Sequence, residues 1–164
     1  MNKNGDVSKI KQLDYKISRW MYVYGKTILR YSLALVFIWF GSLKITGDSP
    51  ATEIVEITVF WLKPEVFIPV LGIWEILIGL FLIFKKLIRL AILLLVFQMP
   101  GTFLPLIIHP EVCFKEFPLI LSMEGQYVIK NLILISAGIV IGGTVREPEF
   151  VERDIKSSDA QHKP

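Results

Sequence analysis

Apolar residues fall along the chain in four blocks, each set off from the next by a short charged or proline-rich segment. A helix of about 20 apolar residues crosses the hydrocarbon layer of a membrane, so the pattern predicts four spans, about 28–45, 66–84, 87–108 and 127–145. The first span is the tightest fit. Its charge-free stretch, Tyr31 to Leu43, covers only about 20 Å of a layer about 30 Å thick, which places Arg30 or Lys44 inside the apolar zone. Ahead of it, Ile10, Leu13, Ile17, Trp20 and Tyr24 recur at steps of three and four among Lys9, Lys11, Lys16 and Arg19. This is the spacing of a basic amphipathic helix lying in the membrane interface, although a helix packed on a partner gives the same periodicity. Residues 1–27 lack a signal-peptide apolar run and cleavage pattern, so they are read as a retained cytoplasmic segment. Between spans one and two, Ile54, Ile57, Trp61 and Leu62 mark a short interfacial helix on the outer side. The predicted class is an all-α membrane protein. It is a four-transmembrane-helix bundle (28–145) with an N-terminal amphipathic interfacial helix and a charged tail, 146–164, expected to be disordered in the cytoplasm.

Composition agrees and narrows the function. Hydrophobic residues make up 53% of the chain and charged ones 20%, with a mean hydropathy of +0.55, which argues against a soluble catalytic domain. Of the 18 lysines and arginines, all but Lys44, Lys63, Lys115 and Lys130 lie before or at the start of span one, at the turn after span two, or in the tail. That bias predicts both termini in the cytoplasm and makes the formal charge of +3 a matter of topology, with no nucleic-acid partner expected. A single cysteine, Cys113, leaves no dithiol couple, disulfide scaffold or cluster site. In the outer loop beside Phe114, it stands as a reactive thiol, an intermolecular disulfide or, as a lone cysteine more often is, an inert group. His109 and His162 cannot clamp a haem across the bundle, and no metal-spaced His and Cys set or Gly-rich phosphate loop is present.

An ionisable side chain at mid-bilayer costs about 3 kcal/mol unless it is paired or faces water. Glu75, at the centre of span two, is the clearest case. Helical side chains lean toward their own N-terminus, so Lys44 on the outward-running first span leans inward while Glu75 on the inward-running second leans outward. The two heads converge. Gln98, at mid-depth on span three, is placed to complete a polar cluster with Glu75, Trp39 or Asn131, whereas Lys130 leans toward the outer surface, where it is expected to snorkel, and stands with them as a candidate ligand-binding or proton-linked residue. The competing reading is structural: polar groups between membrane helices often serve as packing glue worth about 0.6 kcal/mol each. Trp39 and Trp74 then belong to bundle packing. Pro100 and Gly101 are expected to interrupt the third helix, as an ordinary kink or as backbone opened toward a cavity. Ser122, Glu124 and Gln126 are placed to cap the fourth span.

Three stretches carry a family resemblance: Phe37-Ile38-Trp39-Phe40-Gly41-Ser42-Leu43-Lys44, Gly72-Ile73-Trp74-Glu75-Ile76-Leu77-Ile78-Gly79 and Glu124-Gly125-Gln126-Tyr127-Val128-Ile129-Lys130-Asn131. They resemble the DoxX-like family of small four-helix inner-membrane proteins, which includes a branch linked to reactive-chlorine resistance. The resemblance covers about 28–145 and implies a bacterial inner-membrane bundle tied to redox or oxidative-stress systems. Lys44 and Glu75 fall on the positions that carry its short motifs. Three readings follow. The first is a membrane component, not an enzyme by itself, that binds a quinone or lipid near Lys44, Glu75 and Gln98. The second is a small proton-coupled carrier acting as a homo-oligomer, with Glu75 titrating. The third is a membrane subunit of a quinone-linked oxidoreductase, whose soluble partner would supply the electron carrier.

Overall fold

The computed structural model describes residues 3–146, with side-chain surroundings from residue 10 onward. The tail expected to be disordered lies, apart from Arg146, outside the described residues. Helix α1 runs from Lys3 to Thr46. It joins α2 (Thr52–Thr58) and then α3 (Pro64–Ile83). A 3-10 turn, Lys85–Leu87, leads into α4 (Ile88–Phe103), α5 (Pro105–Ile108) and α6 (Pro110–Cys113). A two-stranded antiparallel hairpin, β1 (Phe114–Glu116) and β2 (Ile120–Leu121), precedes α7 (Met123–Ile129) and α8 (Asn131–Gly143). Four helical stretches, Ile10–Thr46, Pro64–Ile83, Lys85–Ile108 and Met123–Gly143, are long and apolar enough to cross a membrane. The chain is an all-α four-helix membrane protein.

Several boundaries differ from the sequence reading, each for a local reason. The expected N-terminal interfacial helix and the first span are one continuous helix, because nothing between Lys26 and Leu29 breaks the backbone ladder. The third span does not break at Pro100. Helix α4 runs through that proline to Phe103 and yields at Leu104, ahead of Pro105. The fourth span begins at Met123 rather than near Tyr127, because Ser122 caps it: its Oγ accepts the Gly125 N–H at 3.0 Å. That span loosens instead at Lys130, whose φ of −57° and ψ of −22° keep it helical while Ile133 N–H reaches back only to the Lys130 carbonyl. The face predicted for the segment after span one is divided, since α2 stops at Thr58. Ile54 is buried, but Trp61 and Leu62 are exposed.

Large apolar side chains point outward, as a lipid solvent permits: Leu35, Trp39, Phe97, Ile133 and Ile139 are all exposed. With lipid as apolar as leucine, burial of apolar surface does not drive helices together, so close packing has to. Glycines provide it between α1 and α3. A Cβ at Gly41 would stand 2.5 Å from the Gly72 carbonyl oxygen, one at Gly72 would stand 2.6 Å from the Gly41 oxygen, and one at Gly79 would stand 2.7 Å from the Ala34 oxygen. The two backbones therefore touch along a seam. Toward the inner end, Leu33, Ala34, Phe37, Ile78, Leu82, Ala91, Leu95 and Ile141 close into one core. Toward the outer end, a smaller cluster of Ile54, Cys113 and Val128 holds α2 and α6 over the bundle. His109 fastens the same cap: its Nε2 lies 3.1 Å from the Ile57 carbonyl and its Nδ1 3.1 Å from Glu111. A backbone hydrogen bond and this His109 contact hold the Glu111 carboxyl below its ordinary range.

Candidate functional site

The glycine seam decides where the ionisable residues meet. With Gly41 against Gly72, Lys44 stands one turn outward of the contact and Glu75 one turn inward, about 9 Å apart along the helix axes. The lysine stem closes that gap. Nζ of Lys44 lies 2.7 Å from Oε2 of Glu75, both residues being over nine-tenths buried. On the other side, Nε2 of Gln98 donates to Oε1 of Glu75 at 2.9 Å. The carboxylate is thus neutralised by one ammonium and hydrogen-bonded on both oxygens, which is what a buried charge requires. Oε1 of Gln98 is buried with no hydrogen-bond partner among the described residues.

These three side chains line a cavity of about 440 Å³. Phe40, Leu71, Trp74 and Phe97 make its apolar walls, Ala51, Ile54 and Val55 of the α2 segment lie across its outer end, and Tyr127, Val128, Lys130 and Asn131 form the wall from the fourth span. The volume falls within the range typical of ligand sites, about 300–1,000 Å³, and so does the design of apolar walls with a few convergent polar groups. Gly101 also lines it, in α4, and a Cβ there would have open space.

The sequence-predicted residues divide. Lys44, Glu75 and Gln98 come together. Asn131 lines the cavity but spends its Nδ2 on the Tyr127 and Val128 carbonyls, at 2.9 and 3.0 Å, closing the loosened turn at Lys130 rather than joining Glu75. Trp39 does not belong to the cluster. It lies on the outward face of α1, 62% exposed, one position away from the cavity-lining Phe40. Lys130 is brought into the cavity wall. Its Nζ lies 4.6 Å from the Phe40 ring centre and 3.7 Å from that of Tyr127, two aromatic faces that hold it in the cavity wall. Trp74, read from sequence as packing, does pack against the inner core and also lines the cavity, and its Nε1 donates to the Leu94 carbonyl at 3.4 Å. Its indole gives one edge to α4 and one face to the cavity, a division that helical periodicity alone does not reveal. Cys113 is fully buried, and burial first, then Glu124 and Glu111, pushes its thiol up from the ordinary range, so it is not an activated nucleophile.

No curated protein and no solved structure matches the chain. A family model does: DoxX matches residues 25–110, just over half of the chain. The match takes in both sides of the glycine seam together with Lys44, Glu75 and Gln98, and stops short of Lys130 and Asn131. The chain is therefore a multi-pass membrane protein that belongs to the DoxX family.

Proposed function

We propose that the protein is a membrane-embedded binding component that takes a lipophilic ligand with a small polar head, a quinone or a lipid, into this cavity. In that role it serves a redox or oxidative-stress system of the bacterial inner membrane, alongside a soluble oxidoreductase partner that carries the electrons. One observation carries the reading: a cavity of about 440 Å³ lies between membrane helices, with Glu75, Lys44 and Gln98 converging in its wall. Polar groups gathered at membrane depth around open space are placed to meet a ligand head, while the apolar walls suit its tail.

Trp74 gives a direct reporter. Trp20, Trp39 and Trp61 are all exposed, so replacing the three with Phe leaves Trp74 alone in the cavity wall. In phosphatidylcholine nanodiscs, a decyl-tailed benzoquinone should then quench Trp74 to saturation. Gly101→Phe, which enters open space in the cavity lining, should abolish the saturable part and leave the fold intact. Quenching that only rises in proportion to the quinone dissolved in the bilayer, and is the same with Gly101→Phe, would overturn the proposal.

A further inference from the structure

We infer that the ligand head preferred by this cavity is an anion, a single carboxylate or phosphate on an apolar tail, and that Lys130 is its counterion. The inference rests on the binding reading above and follows from the charges in the cavity wall. Two ammonium groups, Lys44 and Lys130, line the cavity, but only one carboxylate, Glu75. Glu75 is fully committed, with one oxygen on Lys44 and the other on Gln98. Lys130 is left as the surplus positive charge.

Its surroundings do not cancel that charge. Neither the Lys44 and Glu75 pair nor the His109 and Glu111 pair includes Lys130, and among the described residues no carboxylate lies within pairing distance of it. What holds it is the π-electron faces of Phe40 and Tyr127, which orient an ammonium without neutralising it. Nor does the loosened turn supply compensation. The Tyr127 and Val128 carbonyls, in the turn before Lys130, accept from the Asn131 amide. An ammonium in an apolar wall, half-buried and without an anion, is a poor resting arrangement in low dielectric. It becomes a strong one when a charged head completes a charge-assisted hydrogen bond to Nζ. Lys44 lines the same cavity but its charge is offset by Glu75, so Lys130 is the group through which the cavity discriminates by charge as well as by shape.

The experiment displaces the quinone probe from the single-Trp protein with three amphiphiles of equal tail length: decanoate, decyl phosphate and neutral decanol. At least one of the anions should displace it at a concentration about tenfold or more below that of decanol. The stronger of the two then assigns a fatty-acid or a phospholipid type of head. Lys130→Met should erase the advantage of the anion without changing the effect of decanol, and Lys130→Arg should keep it. Should Lys130→Met fail to fold, the comparison of anions with decanol on the native lysine decides the matter alone. Equal displacement by all three overturns the inference while leaving the binding reading standing. Displacement by none, with no saturable quinone quenching to displace, overturns the binding reading itself.

Discussion

The two halves of the bundle solve the same packing problem in opposite ways. The inner half is closed by aliphatic side chains, with Ile78, Leu82 and Leu95 almost wholly buried, and Gly79 pressed against the Ala34 backbone. The outer half holds a polar cluster, a cavity and a roof made from α2. Both halves share α1 and α3, and the same seam of glycines runs through them. What differs is the third and fourth spans. In the inner half Ala91, Leu95, Ala137 and Ile141 fill the space beside the seam, whereas in the outer half Gln98, Gly101, Thr102 and Asn131 line it without filling it. Rigid support at one end and open polar volume at the other is the division expected of a binding protein that holds its site on fixed helices.

The largest effect that would sharpen this contrast is at the ion pair. Lys44→Met leaves Glu75 buried with only Gln98 and should cost about 3–5 kcal/mol of unfolding free energy, while Lys44→Met with Glu75→Leu together should recover most of it. A double-mutant cycle in mixed micelles measures both. A small single-mutant loss would mean that water already reaches Glu75 and that the outer half is far more open than its geometry indicates. Smaller effects should divide by half. Leu82→Ala, in the inner core, should cost about 2 kcal/mol, the lower end for such truncations because lipid removes the transfer part of the cost. Val70→Ala, half exposed where it lines the cavity, should cost under about 0.5 kcal/mol. Equal losses at the two positions would erase the distinction between a packed and an open half.

How far the sequence foretold this arrangement depends on how local each cause is. The Lys44 and Glu75 contact was legible because it needs only the direction in which helical side chains lean and the alternation of spans. The glycines of the same motifs were visible, yet their use was not: the role of Gly41 exists only once Gly72 faces it from another helix. What holds Lys130 in the cavity wall was hidden for a related reason. Depth alone sends a lysine to the nearer surface, but Phe40, some ninety positions earlier in the chain, offers an aromatic face that holds it inside. Trp39 was one of the possible members of the cluster, but it stands one step from the cavity-lining Phe40, and one step along a helix turns a side chain by more than a quarter of a circle. The break expected at Pro100 failed because a proline frees only one carbonyl, and α4 tolerates that loss while Leu104 and Pro105 carry the discontinuity. The hairpin between β1 and β2 is too short for periodicity to register.

Whether the outer half is a ligand site is decided by a structure of the protein extracted with its native lipids. Elongated non-protein density is expected beneath α2, with its head at Lys130 and its tail along Trp74 and Phe97, and none in the inner half. An empty or collapsed outer cavity, with Lys130 drawn across to Glu75, would contradict it.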